Sequence, residues 1–180
     1  MSNKSKVQDA IDGKLLEERK IFLWGQVDDR SAKHVVDRLM YLDALSDEMI
    51  HFYINSPGGY VTAGFSIHDC MKSLDSKVST ICTGLAASMG SILLSAGEKG
   101  HRFIQPLARV MIHQPSGGAR GPASDIEITA YEILKTKELS AQILADNCGQ
   151  TLERVMKDFN RDHWMGANES VEYGLVDKVI

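Results

Sequence analysis

VSTICTGLAASMGSILLSAG, residues 78–97, decides how the chain is read. Twenty residues pass without a charge, long enough to suggest a membrane span. Yet the stretch holds Ser79, Thr80, Thr83, Ser88, Ser91 and Ser95, with three glycines. A lipid-facing helix has little use for so many hydroxyls and helix-weakening glycines. A buried strand, a turn and a short buried helix accommodate them better. The turn falls in GLAASMGS, 84–91, where Ser88 has only small neighbours: Gly84, Ala86, Ala87 and Gly90.

Working outward, apolar runs and breaks alternate. KIFLWGQV (20–27) and MIHFYIN (49–55) read as strands. Between them Ser31 can cap a helix reaching about Ala44, with apolar Val35, Val36, Leu39, Met40 and Leu42. Ser-Pro-Gly-Gly (56–59) ends the second strand, and a helix from about Thr62 to Leu74 follows. KVSTICT (77–83) is the buried strand, Ser88–Ala96 the short helix. HRFI (101–104) and ARVMIH (108–113) are strands around Pro106. SGGARGP (116–122) is too rich in glycine for a regular element. Ser124 and Glu127 match a capping box for a long helix ending near Gly149. Helices over Leu152–Phe159 and Asn168–Tyr173 and a closing strand in GLVDKVI complete the order. Strands alternating with helices predict an α/β fold with largely parallel pairing.

The totals agree. One hundred and eighty residues, 43% apolar and 24% charged, suit one domain with a sizeable core. Residues 1–14 are polar and mixed in charge and are expected to form a flexible N-terminal arm, leaving 15–180 as the single domain. They contain no apolar run of signal-peptide type, which predicts a cytoplasmic protein. A net charge of −4 with no basic run gives no case for nucleic acid or an anionic membrane. Cys70, Cys82 and Cys148 form no CxxC pair, so a structural metal site is not expected, and no motif calls for an organic cofactor.

A serine raised where a buried strand turns into a helix has the geometry of a nucleophile elbow. The helix N-terminus offers free N–H groups, Met89 the nearest, to a developing oxyanion. Such a serine needs a base. Of six histidines, His113 stands out, ending the apolar strand VMIH just before a break. An acid should orient the imidazole; Asp158, Asp162 and Asp177 are all candidates, and spacing does not choose among them. SPGG offers bare backbone amides as further donors.

YINSPGG (53–59), VTAG (61–64), VSTIC-G-AASMGS, RVMIHQP (109–115), DIEI, EILK, the Arg161-Asp162 pair and VEYGLVD (171–177), in this order and spacing, closely resemble the ClpP family, the proteolytic subunits of Clp proteases. The resemblance runs from about residue 15 to the end. It implies a ClpP/crotonase-like α/β fold with a protruding helical handle, here Ser124–Cys148. It places the nucleophile on Ser88, the base on His113 and the acid on Asp162. The oxyanion donors fall on the amides of Gly59 and Met89, and the backbone that receives substrate on Gly58, Ser116, Gly117 and Gly118. It implies two stacked seven-subunit rings, with unfolded polypeptides fed in by an AAA+ Clp ATPase of ClpX, ClpA or ClpC type.

Four departures bear on those expectations. Asn160 stands where relatives carry an acid that pairs across the ring interface. Pro122 replaces a glutamine, His51 a tyrosine of the pocket that receives ATPase loops, and residues 1–14 do not match the usual arm. They suggest a divergent paralogue, weakly active or regulatory, assembling in mixed rings with another ClpP subunit. A purely architectural subunit and an acyl-CoA enzyme of the wider crotonase fold are the other classes. The presence of all three triad residues, and of no CoA-binding feature, speaks against both.

Overall fold

The computed structural model describes residues 3–180. The order is α1 (Asn3–Glu17), β1 (Lys20–Trp24), α2 (Asp29–Leu45), β2 (Ile50–Ser56), α3 (Val61–Ser73), β3 (Val78–Ala87), α4 (Met89–Ser95), β4 (Arg102–Ile104), β5 (Arg109–Ile112), α5 (Ala123–Cys148), α6 (Leu152–Asp158), β6 (His163–Met165), α7 (Ala167–Tyr173) and β7 (Lys178–Val179). β1-β2-β3-β4-β7 pair in that order, all in parallel. Alternation in β2 buries Ile50, Phe52 and Ile54 against the helices and leaves His51, Tyr53 and Asn55 half-covered. Leu39 and Leu42 of α2, Ile67 of α3 and the wholly buried α4 fill the same core.

β3 serves two neighbours in succession. Thr80–Cys82 pair with β4, whereas Leu85–Ala87 pair with β5. The register with β2 shifts between these halves, from Ile54↔Cys82 to Ser56↔Ala86. Gly84, at φ +78, supplies the left-handed residue that such a bulge needs. The second half keeps its pairing with β2, at Ser56↔Ala86, while its other edge passes from β4 to β5. β5 continues antiparallel to β6, with Ile112 opposite His163.

Four expectations need correction. Residues 3–14 of the expected arm are helical, as part of α1; residues 1 and 2 lie outside the described part. Leu16 packs against the core, and Ile11 and Leu15, apolar at i, i+4 among polar neighbours, line a cavity with Ile21, Phe22 and Trp24 of β1. Asp28, not Ser31, caps α2; its side chain accepts from the Ser31 N–H, and the Ser31 hydroxyl accepts from the Asp28 N–H. The Ser124/Glu127 box does not form, because α5 begins at Ala123 behind Pro122. Pro122 fits there, since its fixed φ suits a helix start and the missing N–H would lack a partner anyway. β6, three residues in a polar context, escaped the sequence reading.

The helix α5 does end at Gly149 in the left-handed conformation, as expected. Only its C-terminal half carries buried residues, namely Ser140, Ala141, Leu144 and Ala145. In the N-terminal half Ile126, Ile128, Tyr131 and Leu134 are exposed.

Candidate active site

Three elements converge on Ser88. β3 delivers it, and α4 starts at the next residue. Its backbone lies at φ 54, ψ −121, a region that residues with a side chain seldom occupy. Strain of this kind persists only where the surroundings over-determine it. Here the Ser88 N–H donates to Met111 O at 2.8 Å, while its carbonyl accepts from the Ser91 N–H at 2.9 Å and the Ser91 hydroxyl at 2.6 Å. Parallel pairing of Ala87 with Met111 then brings His113, two residues on, alongside Ser88.

His113 Nε2 lies 2.9 Å from Ser88 Oγ, and its Nδ1 lies 3.0 Å from Asp162 Oδ1. A carboxylate only accepts, so the proton resides on Nδ1 and Nε2 is free to accept from the serine hydroxyl. Asp162 reaches the ring from the link between α6 and β6. Of the three aspartates left open by spacing, only this one meets His113. Asp158 faces Arg154, Oδ2 to Nε 3.4 Å, and Asp177 pairs with Arg102. The other histidines are elsewhere; His51 sits on β2 beside Lys20 of β1, where burial, then Lys20 and Arg19, hold its pKa below the usual value.

Gly58 touches the elbow directly. A Cβ there would lie 2.7 Å from Ala87 O and Ser88 Cβ and 2.9 Å from Met89 N, and its φ of +89 independently favours glycine. Gly59 follows, facing Val27 through an isolated parallel bridge. Among the described residues neither the Gly59 nor the Met89 N–H donates to a protein acceptor. Ser116, Gly117 and Gly118 are exposed, belong to no regular element, and likewise form no backbone hydrogen bonds among the described residues.

A family model described as Clp protease matches residues 3–180. The chain belongs to the Clp protease family. Clp proteases are peptidases, generally of the serine type, that form rings and work with Clp ATPases. The mixed α/β fold of this Clp protease, with its sheet and seven helices, is that of the family.

Features outside the sequence reading complete the Clp protease site. A small cavity beside Ser88 is walled by Val61, Met89, Ile92, Pro115 and Ser140, with no charged group other than His113 if protonated. Ser140 arrives from α5, 52 positions along the chain, and nothing in its local sequence marks it. Gln114 is a second such residue, bonded to the segment that carries Asp162. The thiols have no part in the site: burial pushes Cys82 and Cys148 up to about 12. Among the described residues no three His, Cys, Asp or Glu side chains are grouped as metal ligands would be, and no helix is long and apolar enough to cross a membrane.

Proposed function

We propose that this chain is a serine endopeptidase subunit that cleaves unfolded polypeptides by acyl-enzyme chemistry. The observation that carries it is the continuous hydrogen-bonded path from Ser88 Oγ through His113 to Asp162. His113 Nε2 takes the hydroxyl proton as Oγ attacks a peptide carbonyl. The amides of Gly59 and Met89 receive the oxyanion, a contribution on the order of 10²–10³-fold per donor in comparable sites. His113 returns the proton to the leaving amine. Water, deprotonated by the same imidazole, then attacks the ester and frees Ser88. Asp162 holds the Nδ1–H tautomer throughout.

An extended substrate can lie along Gly58 and Ser116–Gly118, whose free main-chain groups pair with a strand of any sequence. The uncharged walls beside Ser88 favour an uncharged, apolar side chain before the cut. The exposed apolar residues of α5 suit burial against other copies, in two stacked seven-membered rings. An AAA+ Clp ATPase would unfold and deliver the substrates. The regulatory alternative, a subunit idle without a second ClpP-type partner, has less support, because the triad geometry is complete within one chain.

Hydrolysis of a fluorogenic peptide with an apolar residue before the cut tests the reading. Ser88→Ala should reduce turnover to near background, on the order of 10⁶-fold, with the sedimentation profile unchanged. Undiminished turnover in that variant would refute it.

A further inference from the structure

Asp162 is the least anchored member of the triad. Its side chain is 59% exposed, and among the described residues its carboxylate has one partner, the His113 ring. It belongs to the irregular link 160–162 between α6 and β6. Downstream, His163 is fixed opposite Ile112. Upstream, the fully buried Phe159 caps α6. What ties the three residues between them to the strand end is Gln114, next to His113, through its main chain and its side chain. The Gln114 N–H donates to Phe159 O at 2.6 Å; its Nε2 donates to Asn160 O at 2.7 Å and contacts Asn160 Oδ1 at 3.2 Å. One residue therefore ties the strand end bearing the imidazole to the loop bearing the carboxylate. A hydrogen bond of 3.0 Å tolerates little drift, and a misplacement of about 1 Å can reduce turnover by ~10².

We infer that Gln114, with Asn160 as its acceptor, is a positioning residue that holds Asp162 against His113, so that the triad is aligned within a single subunit. The inference rests on the protease reading and names what keeps its acid in place. The hydrogen bonds of the Gln114 side chain among the described residues go to Asn160 and not to Ser88 or His113, so it acts through the loop.

Gln114→Met keeps the length and removes the donor. In the full-length assembled protein, with an activated peptide ester whose good leaving group keeps weak variants measurable, kcat should fall by about 10²-fold. KM should change less than about twofold, because the substrate contacts lie elsewhere. In an Asp162→Ala background the same substitution should have no further effect, since the group it positions is gone. Gln114→Glu, equally long and polar but unable to donate, carries the same expectation should the methionine variant not fold. An unaltered kcat overturns the inference while leaving the protease reading intact. So does an equal loss in the Asp162→Ala background, which would mark a general structural role. Wild-type protein lacking any Ser88-dependent turnover overturns the protease reading, and this inference with it.

Discussion

Ser88 is held at φ 54, ψ −121 by hydrogen bonds of its backbone to β5 and α4, and its hydroxyl lies 2.9 Å from His113 Nε2. Its other neighbour is the backbone of Gly58. Gly58→Ala would set a methyl 2.7 Å from Ala87 O and Ser88 Cβ, so the elbow must shift. Steady-state kinetics should show kcat/KM down by about 10²-fold, as expected for a displacement near 1 Å; an unchanged value would mean that the loop yields without moving the serine. The sequence singled out Ser88, with small neighbours between a strand and a helix, and His113, at a strand end, as candidates only; the family resemblance gave them roles, and the fold sets them 2.9 Å apart. Asp162 was legible only through family resemblance, because spacing does not choose among it, Asp158 and Asp177, and only folding separates them. Gln114 and Ser140 were not legible at all. A polar residue after a histidine, or a serine on a long helix, carries no local mark of the loop or cavity it will meet.

Among the elements, β3 does most to build the site, and with its bulge near Gly84 one strand pairs with both β4 and β5. The periodicity showed the buried strand but not this change of partner, which depends on registers with two other strands. α1 was hidden by dilution of its apolar positions, β6 by its brevity. Elsewhere an ion pair ties β4 to the segment leading into β7. Arg102 of β4 is almost wholly buried; Nη2 lies 2.6 Å from Asp177 Oδ1, and Nη1 donates to Asn147 O of α5 at 2.9 Å. Burial would raise the Asp177 carboxyl, but the Arg102 side chain, its N–H and that of Gly100 outweigh it and hold the pKa below the ordinary value. A depressed folded-state pKa stabilises above the unfolded value of about 3.9 and stops doing so as pH falls through the folded one. Wild-type protein should therefore lose stability below about pH 4. Asp177→Asn should cost about 3 kcal/mol at neutral pH, the lower end for a broken buried pair because Asp177 is partly exposed, and should flatten that acid dependence. Denaturant melts across pH check both; a variant with wild-type stability would remove the ion pair from the account.

At the scale of the whole molecule the uncovered apolar surface matters most. Ile128 and Leu134, 64% and 62% exposed, stand on the half of α5 that carries no buried residues. In the proposed assembly this surface is buried against other copies. Ile128→Glu with Leu134→Glu should shift sedimentation toward smaller species while leaving the subunit's thermal unfolding nearly unchanged; an intact large assembly would place the ring contacts elsewhere. All of this presupposes that the Ser88 hydroxyl is activated, and reaction with a fluorophosphonate followed by intact mass spectrometry tests that most directly. The account predicts one adduct per chain in the wild type, none in Ser88→Ala, and far slower labelling in His113→Ala. An unlabelled wild type, or labelling indifferent to loss of the imidazole, would contradict it.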